Sequence, residues 1–354
     1  MSDFTRRDFV QGAGLTPFAA AMVLAADAGH VSQAADNPDP WSYVDPELAA
    51  ALRKIPQDNE PPSAATLAKW RAGDANSPAV SSAPELQPKT VNIPARAARP
   101  SVSVLIIDPK PGGNHRPATL YIHGGGYVVG SAGTDLRLAQ DIAQGTGSLV
   151  VSVNYTLAPE AKFPVSREQN YAALAWLIEN AASLRVDPAR IAIMGDSAGG
   201  GHAAMLAIAA RDRGEFKPAF QCLIYPMLDD RTGSTRMMPP YMGHFLWTAA
   251  VNRFGWSSLL GMAAGSASPP PGSVPARVAD VSGLPPTFIG VGSIDLFFEE
   301  DMEYARRLAM AGVSTEMFVV PGAYHGFDVV ARDARLTVEF RNAWQSALRR
   351  GLGI

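Results

Sequence analysis

The chain has 354 residues, 47% of them hydrophobic and 18% charged. That is enough apolar material for one large core or two modest ones, and it excludes a disordered chain. A net charge of −3 excludes the basic footprint of a nucleic-acid binder, and the single cysteine, Cys222, excludes an intrachain disulfide or a CxxC redox pair.

The N-terminus reads as an address. Thr5-Arg6-Arg7-Asp8-Phe9-Val10 resembles a twin-arginine export signal. A mildly apolar stretch follows from Leu15 to Ala26, then Ala26-Asp27-Ala28, a small-residue cleavage pattern, with Ser32-Gln33-Ala34 as a second candidate. No Lys or Arg occurs from Asp8 to Leu52. Residues 1–35 are therefore expected to direct export, with the bacterial periplasm as destination; the alternative is an ordinary helical extension of a cytoplasmic protein. No uninterrupted apolar stretch approaches the roughly 18 residues of a membrane span.

Residues 36–85 hold two short helices. Asp45 caps the first, Pro46 opens it, and Leu48, Leu52 and Ile55 recur at helical spacing. The second runs from Ser63 to about Ala72, carries Leu67 and Trp70, and is expected to end at Gly73. Both precede the sheet and lack neighbouring helices in sequence, so they are expected to form part of a cap.

From residue 86 onward, strand-like and helical runs alternate. The predicted strands are Lys89–Ile93, Val102–Ile107, Thr119–His123, Leu149–Val153, Ile191–Gly195, Phe220–Tyr225, Thr287–Val291 and Thr315–Val320. Several are continuous Val- and Ile-rich runs, as in strands buried on both faces. The predicted helices are Thr134–Gln144, Val165–Ala182, Ala198–Arg213, Glu300–Ala311 and Ala334–Arg349. Arg99-Pro100 turns the first two strands into a hairpin. The later strand–helix–strand order implies parallel pairing with right-handed crossovers. The alternation breaks at 228–284, which holds Met237-Met238-Pro239-Pro240, a helical stretch from about Phe245 to Leu260 and a Pro-rich loop. A structureless loop of that length would be unusual, so a second cap segment is expected there.

Four elements carry chemistry. Gly195-Asp196-Ser197-Ala198-Gly199 is a G-x-S-x-G turn between a buried strand and a helix, the setting of a nucleophile elbow. Ser197 then projects above the sheet at a helix N-terminus, where developing negative charge is favoured. About 75 residues earlier, His123-Gly124-Gly125-Gly126-Tyr127 follows another strand. Its glycines let backbone N–H groups face a cavity, so Gly125, Gly126 and Ala198 are the expected oxyanion donors. His123 is expected to brace that loop. No G-K-[ST] or partnered G-x-G-x-x-G accompanies the glycines, which weakens a nucleotide reading.

The nucleophile needs a base. Of the six histidines, His325 alone follows the last strand, within Gly322-Ala323-Tyr324-His325-Gly326-Phe327, at the sheet edge where the other pieces converge. His202 lies inside the helix after the elbow and reads as a packing residue. For the orienting acid, Asp295 follows the strand Thr287–Val291 at the same edge. Glu299, Glu300 and Asp301 are rivals, but they open a helix, where acids need no catalytic explanation. Asp328 is a further rival, with a cap or surface role as its alternative. The order Ser197, Asp295, His325 is that of an α/β-hydrolase.

In combination, His123–Gly126, Gly195–Gly200, Asp295–Phe297 and His325–Phe327, with Tyr155-Thr156-Leu157-Ala158-Pro159-Glu160, resemble the hormone-sensitive-lipase-like carboxylesterases of the α/β-hydrolase fold. Thr156 stands where that family has Arg, and the Pro after the acid is absent. The resemblance implies a mostly parallel eight-stranded sheet with helices on both faces and a helical cap in two segments. It also implies no cofactor, no metal and a small-molecule ester as substrate. A homodimer through the last strand or helix is compatible with it.

The expected reaction is hydrolysis of short- to medium-chain carboxylic esters. The same triad serves lactone, carbamate or amide cleavage, and a ligand-binding pseudo-hydrolase is the contrasting class. Tyr127 and Asp196 are expected to shape the pocket mouth. Trp41, Trp70, Met237 and Phe245 are expected to offer apolar cap surface to the substrate.

Overall fold

The computed structural model describes residues 39–55, 62–76, 81–110 and 113–354. The twin-arginine segment lies outside them. Eight strands form one sheet: β1 (Lys89–Ile93), β2 (Val102–Ile107), β3 (Arg116–Ile122), β4 (Leu149–Asn154), β5 (Val186–Asp196), β6 (Phe220–Ile224), β7 (Thr287–Gly292) and β8 (Thr315–Val320). Their spatial order is β1-β2-β4-β3-β5-β6-β7-β8. β1 and β2 form the antiparallel hairpin, β2 is antiparallel to β4, and all later pairs are parallel.

Ten helices are described: α1 (Pro46–Leu52), α2 (Ala64–Asn76), α3 (Leu136–Thr146), α4 (Val165–Glu179), α5 (Ala181–Leu184), α6 (Ala198–Arg213), α7 (Ala249–Leu260), α8 (Phe298–Met310), α9 (Phe327–Val330) and α10 (Arg335–Gly351). None is long and apolar enough to cross a membrane. The central strands β3, β4, β6 and β7 are buried almost end to end, because helices cover both faces. α3 and α10 pack on one face, and α4, α6 and α8 on the other.

β3 lies between β4 and β5, so the chain reverses its direction of progress across the sheet there. Such a switch point opens a crevice beyond the carboxyl ends of the strands. The register brings several ends to one level: Ile122 pairs with Gly195, Asp196 with Ile224, and Gly292 with Val320. The loops that follow these strands carry the chemistry-bearing residues.

The structure departs from the sequence reading at several boundaries. α2 runs through Gly73, which lacks the positive φ of a helix-ending glycine. α4 stops at Glu179, where the Asn180 side-chain amide donates to the Trp176 carbonyl and Arg185 turns left-handed. Within residues 228–284 the helix starts at Ala249, capped by the Thr248 hydroxyl. Phe245–Trp247 instead form a tight turn, with Leu246 at φ 62° and Trp247 N–H donating to the Phe245 carbonyl.

The two segments outside the sheet meet each other. Trp41 packs on Phe245 (4.7 Å between centroids), Tyr43 stacks on Tyr241 (4.0 Å), and Trp70 meets Phe254 edge-on. α1 also docks on the loop after β8: the Asp45 N–H donates to the Gly322 carbonyl and Tyr324 Oη to the Leu48 carbonyl. Leu48 is fully buried there. Leu48→Ala is expected to cost about 2–4 kcal/mol. Chemical denaturation reads that loss, and amide exchange over residues 321–327 should rise as the loop loses its brace.

Candidate active site

The elbow is built by geometry no ordinary turn provides. Ser197 sits at φ 52°, ψ −122°, a sparsely populated conformation that costs about 1–3 kcal/mol. Three hydrogen bonds hold it: Ser197 N–H donates to the Ile224 carbonyl, and its own carbonyl accepts from Gly201 and Met227. Gly199 is required because α6 passes directly against β3. A Cβ there would lie 2.0 Å from the Ile122 carbonyl oxygen.

The structure brings Ser197, His325 and Asp295 into one line. His325 Nε2 lies 2.9 Å from Ser197 Oγ, and His325 Nδ1 lies 2.8 Å from Asp295 Oδ2. The second carboxylate oxygen accepts from the Phe297 N–H at 2.9 Å. All three side chains are fully buried. Tyr225, Phe297 and Trp247 surround the imidazole, with centroids 4.7, 5.0 and 6.0 Å away. The rivals for the acid stand elsewhere. Glu299 is exposed, and Glu300 accepts from the Leu228 and Asp229 N–H groups. The Asp301 carboxyl is buried without a hydrogen bond, and Asp328 accepts from Tyr225 Oη.

The glycine loop lies over this line. Val128 and Val129 N–H groups both donate to the Gly125 carbonyl. Across that trans peptide the Gly126 N–H points the opposite way. Gly125 has φ 116° and Gly126 φ 56°, and a Cβ on Gly126 would meet Trp247 at 2.0 Å. His123 braces the loop: Nδ1 donates to the Gly124 carbonyl (2.8 Å), its ring stacks on Tyr155, and Tyr155 Oη donates to the His123 carbonyl. Burial pushes its imidazole down to about 4, so it stays neutral. His202 is buried between the edges of Tyr127 and Tyr155, and burial lowers it to about 3.

Tyr127 and Asp196 do not stand at a pocket mouth. Tyr127 is 1% exposed and its hydroxyl donates inward to the Met227 carbonyl. The Asp196 carboxyl turns beneath the loop toward Tyr121, on the α3 face of the sheet. Both reversals arise from strand alternation and from the positive φ of Tyr127, which a residue count does not reveal. The cap residues also divide. Phe245 and Trp70 are buried, Trp41 is half-buried, and Met237 is 73% exposed and faces solvent.

Sequence reasoning missed Trp247 and Arg71. Trp247 donates its indole N–H to Asn252 and lies against Gly126. The Thr248 cap one residue later was its only local signal. Arg71 on α2 donates to the Val128 and Ala158 carbonyls and pairs with Glu160, tying α2 to the loop after the glycines. At the family's Arg position, Thr156 instead exchanges hydrogen bonds with the Gln169 amide.

A buried Ser–His–Asp line beside a glycine loop, at the switch point of this sheet, defines an α/β-hydrolase site. The sequence matches the alpha/beta hydrolase fold family over residues 119–329, and the chain belongs to that family, in its hormone-sensitive-lipase-like branch. Carboxylesterase NlhH of Mycobacterium tuberculosis is 36% identical over 240 residues, covering 67% of this chain and 74% of the relative. The ethyl acetate hydrolase of Pseudomonas putida is 34% identical over 211 residues, covering 59% and 65%. A solved bacterial heroin esterase superposes with a TM-score of 0.77 at 33% identity, over 89% of this chain and 99% of that one.

Gly126→Ala tests the loop. The new methyl collides with Trp247 and strains a left-handed backbone, so the donor moves. We expect kcat to fall by about 10²–10³ with the far-ultraviolet spectrum unchanged. An unaltered kcat would remove Gly126 from the oxyanion site.

Proposed function

We propose that the protein is a serine carboxylesterase that cleaves short- to medium-chain carboxylic esters through an acyl-enzyme intermediate. The observation that carries this reading is the hydrogen-bonded line from Ser197 through His325 to Asp295, buried beside the Gly125–Gly126 loop. Similarity to carboxylesterases supports the ester as substrate.

Ser197 Oγ attacks the ester carbonyl carbon while His325 Nε2 accepts its proton. Asp295 accepts from Nδ1–H, which keeps the Nε2 lone pair facing the serine and balances the imidazolium as it forms. The carbonyl oxygen gains charge and accepts from the N–H groups of Gly125, Gly126 and Ala198. His325 then returns the proton to the departing alcohol oxygen, leaving the acyl group on Ser197. Water attacks that acyl group with the same base, and Ser197 is regenerated.

Residues 36–85 and 228–284 act as a two-part cap in this reading. The contacts of Trp41 with Phe245 and of Trp247 with Gly126 support a confined space for the substrate. That confinement favours short and medium chains.

Hydrolysis of p-nitrophenyl esters from acetate to dodecanoate tests the proposal. Wild type should prefer the shorter members, and Ser197→Ala should lower kcat by at least about 10⁴-fold. Turnover that survives this substitution would exclude Ser197 as nucleophile. The Arg6-Arg7 segment supports export as a folded protein. Replacing both arginines by lysine should retain the protein in the cytoplasm of a bacterial host, and unchanged periplasmic recovery on fractionation would refute that route.

A further inference from the structure

Beneath the glycine loop, two buried aspartates converge on one phenol. Tyr121 Oη, near the end of β3, lies 2.7 Å from Asp196 Oδ1 and 3.0 Å from Asp135 Oδ2. All three side chains are buried. A phenol carries a single proton, and an ionised carboxylate carries none. Two hydrogen bonds among these three oxygens therefore need two protons. If both aspartates were ionised, one contact would be a close oxygen–oxygen approach with no hydrogen in it, away from water, which is costly.

We infer that Asp135 and Asp196 hold one proton between them across Tyr121, that this proton rests on Asp196, and that Asp135 is thereby a positioning residue for the nucleophile and the oxyanion loop. The inference rests on the esterase reading for its kinetic consequence, but the proton itself does not.

The surroundings decide which carboxyl stays neutral. Asp135 stands at the N-cap position of α3; its carboxylate makes no cap hydrogen bond to the first amide groups, but it lies at the positive end of the helix dipole, which favours a negative charge. Asp196 faces acids. Asp135 and Tyr121 lie on one side, and Asp328, itself bonded to Tyr225 Oη, on another. The phenols of Tyr155 and Tyr225 complete the set, and Arg332 and Arg341 act on Asp328. His123, whose backbone leads into Gly124, is neutral. Burial first, then the charge of Asp135, drive the Asp196 carboxyl well above the usual range, against the pull of the Tyr121 hydrogen bond.

The position of Asp196 gives this proton its effect. It directly precedes Ser197, and a Cβ on Gly124 would lie 2.5 Å from Asp196 Oδ2. Its charge is thus felt at both backbone elements that would cradle the oxyanion. A neutral Asp196 leaves only donors facing the new charge. An ionised one adds a like charge in a site of low polarity, where such repulsion is strong.

Two isosteric substitutions separate these cases. In Asp196→Asn the amide donates to Tyr121, copying the neutral acid. In Asp135→Asn the amide donates to Tyr121 from the other side, Tyr121 donates to Asp196, and Asp196 becomes ionised. The variant farther from the nucleophile is therefore the more impaired: at neutral pH its kcat on p-nitrophenyl butyrate is expected to be about tenfold or more below that of Asp196→Asn. Infrared difference spectra, taken without substrate, should show one protonated-carboxyl carbonyl band lost from wild type in each variant. In wild type the same band should vanish on alkaline titration together with a fall in kcat.

A band unchanged in Asp196→Asn would mean that Asp196 holds no proton, and would overturn the inference. A slower Asp196→Asn would overturn the positioning role even if the band is lost. If Asp135→Asn fails to fold, Asp196→Asn identifies the band among those of the other buried carboxyls, such as Glu300 and Asp301, and its titration in wild type decides. A band present at neutral pH that titrates with kcat supports the inference, and a band that is absent or titrates independently of kcat refutes it. Loss of esterase activity in wild type would sink the functional reading while leaving the infrared result intact.

Discussion

The backbone of Ser197 is the constraint around which the site is arranged. At φ 52° and ψ −122° the residue is held in a conformation that its own sequence does not favour. The surrounding sheet over-determines it. β5 lies between β3 and β6, the Ser197 N–H is taken by Ile224 at the end of β6, and α6 is drawn against Ile122 at the end of β3. Gly199 permits that approach because any side chain would strike a carbonyl oxygen. The result is a nucleophile aimed by rigid elements, whose position does not depend on a mobile loop.

The remaining groups arrive from distant parts of the chain, and each is tied to that frame. Asp295 and His325 follow β7 and β8, whose parallel register ends at the same level. α1 presses on the histidine loop through Gly322 and Tyr324, Arg71 of α2 grips the glycine loop through Val128, and Trp247 closes on Gly126. The outer segments therefore touch the histidine loop and the glycine loop alike. The Ser197–His325–Asp295 line beside them is fully buried, and a charge interaction there is stronger than in water.

Burial sorts the titratable groups by the partners they retain. His123 and His202 lose their charge to burial, which the Gly124 carbonyl beside His123 does not offset. His325, also buried, bonds an acid through one ring nitrogen and the serine through the other. Glu300 accepts the Leu228 and Asp229 N–H groups and so anchors the chain after β6 to α8. A buried acid in this protein thus acts through its hydrogen bonds as much as through its charge.

Much of this architecture could be read locally. The run Ala198–Arg213 is a helix with the bounds its pattern implies, and the hairpin, the parallel strands and the order Ser197, Asp295, His325 follow from short-range rules. Those features depend on residues close together in sequence: apolar runs, glycines at forced turns and loops placed after strands. The directions of Asp196 and Tyr127, the exposure of Met237, the role of Trp247 and the meeting of Asp135 with Asp196 were decided only in three dimensions. Each depends on what a distant segment places opposite the side chain. Asp135 and Asp196 are 61 residues apart, and only the packing of α3 on β4 and β2, with β3 and β5 next in the sheet, brings both to one hydroxyl. Local propensity specifies the elements and the order of the chemistry; side-chain direction and charge state follow from the contacts made when those elements pack.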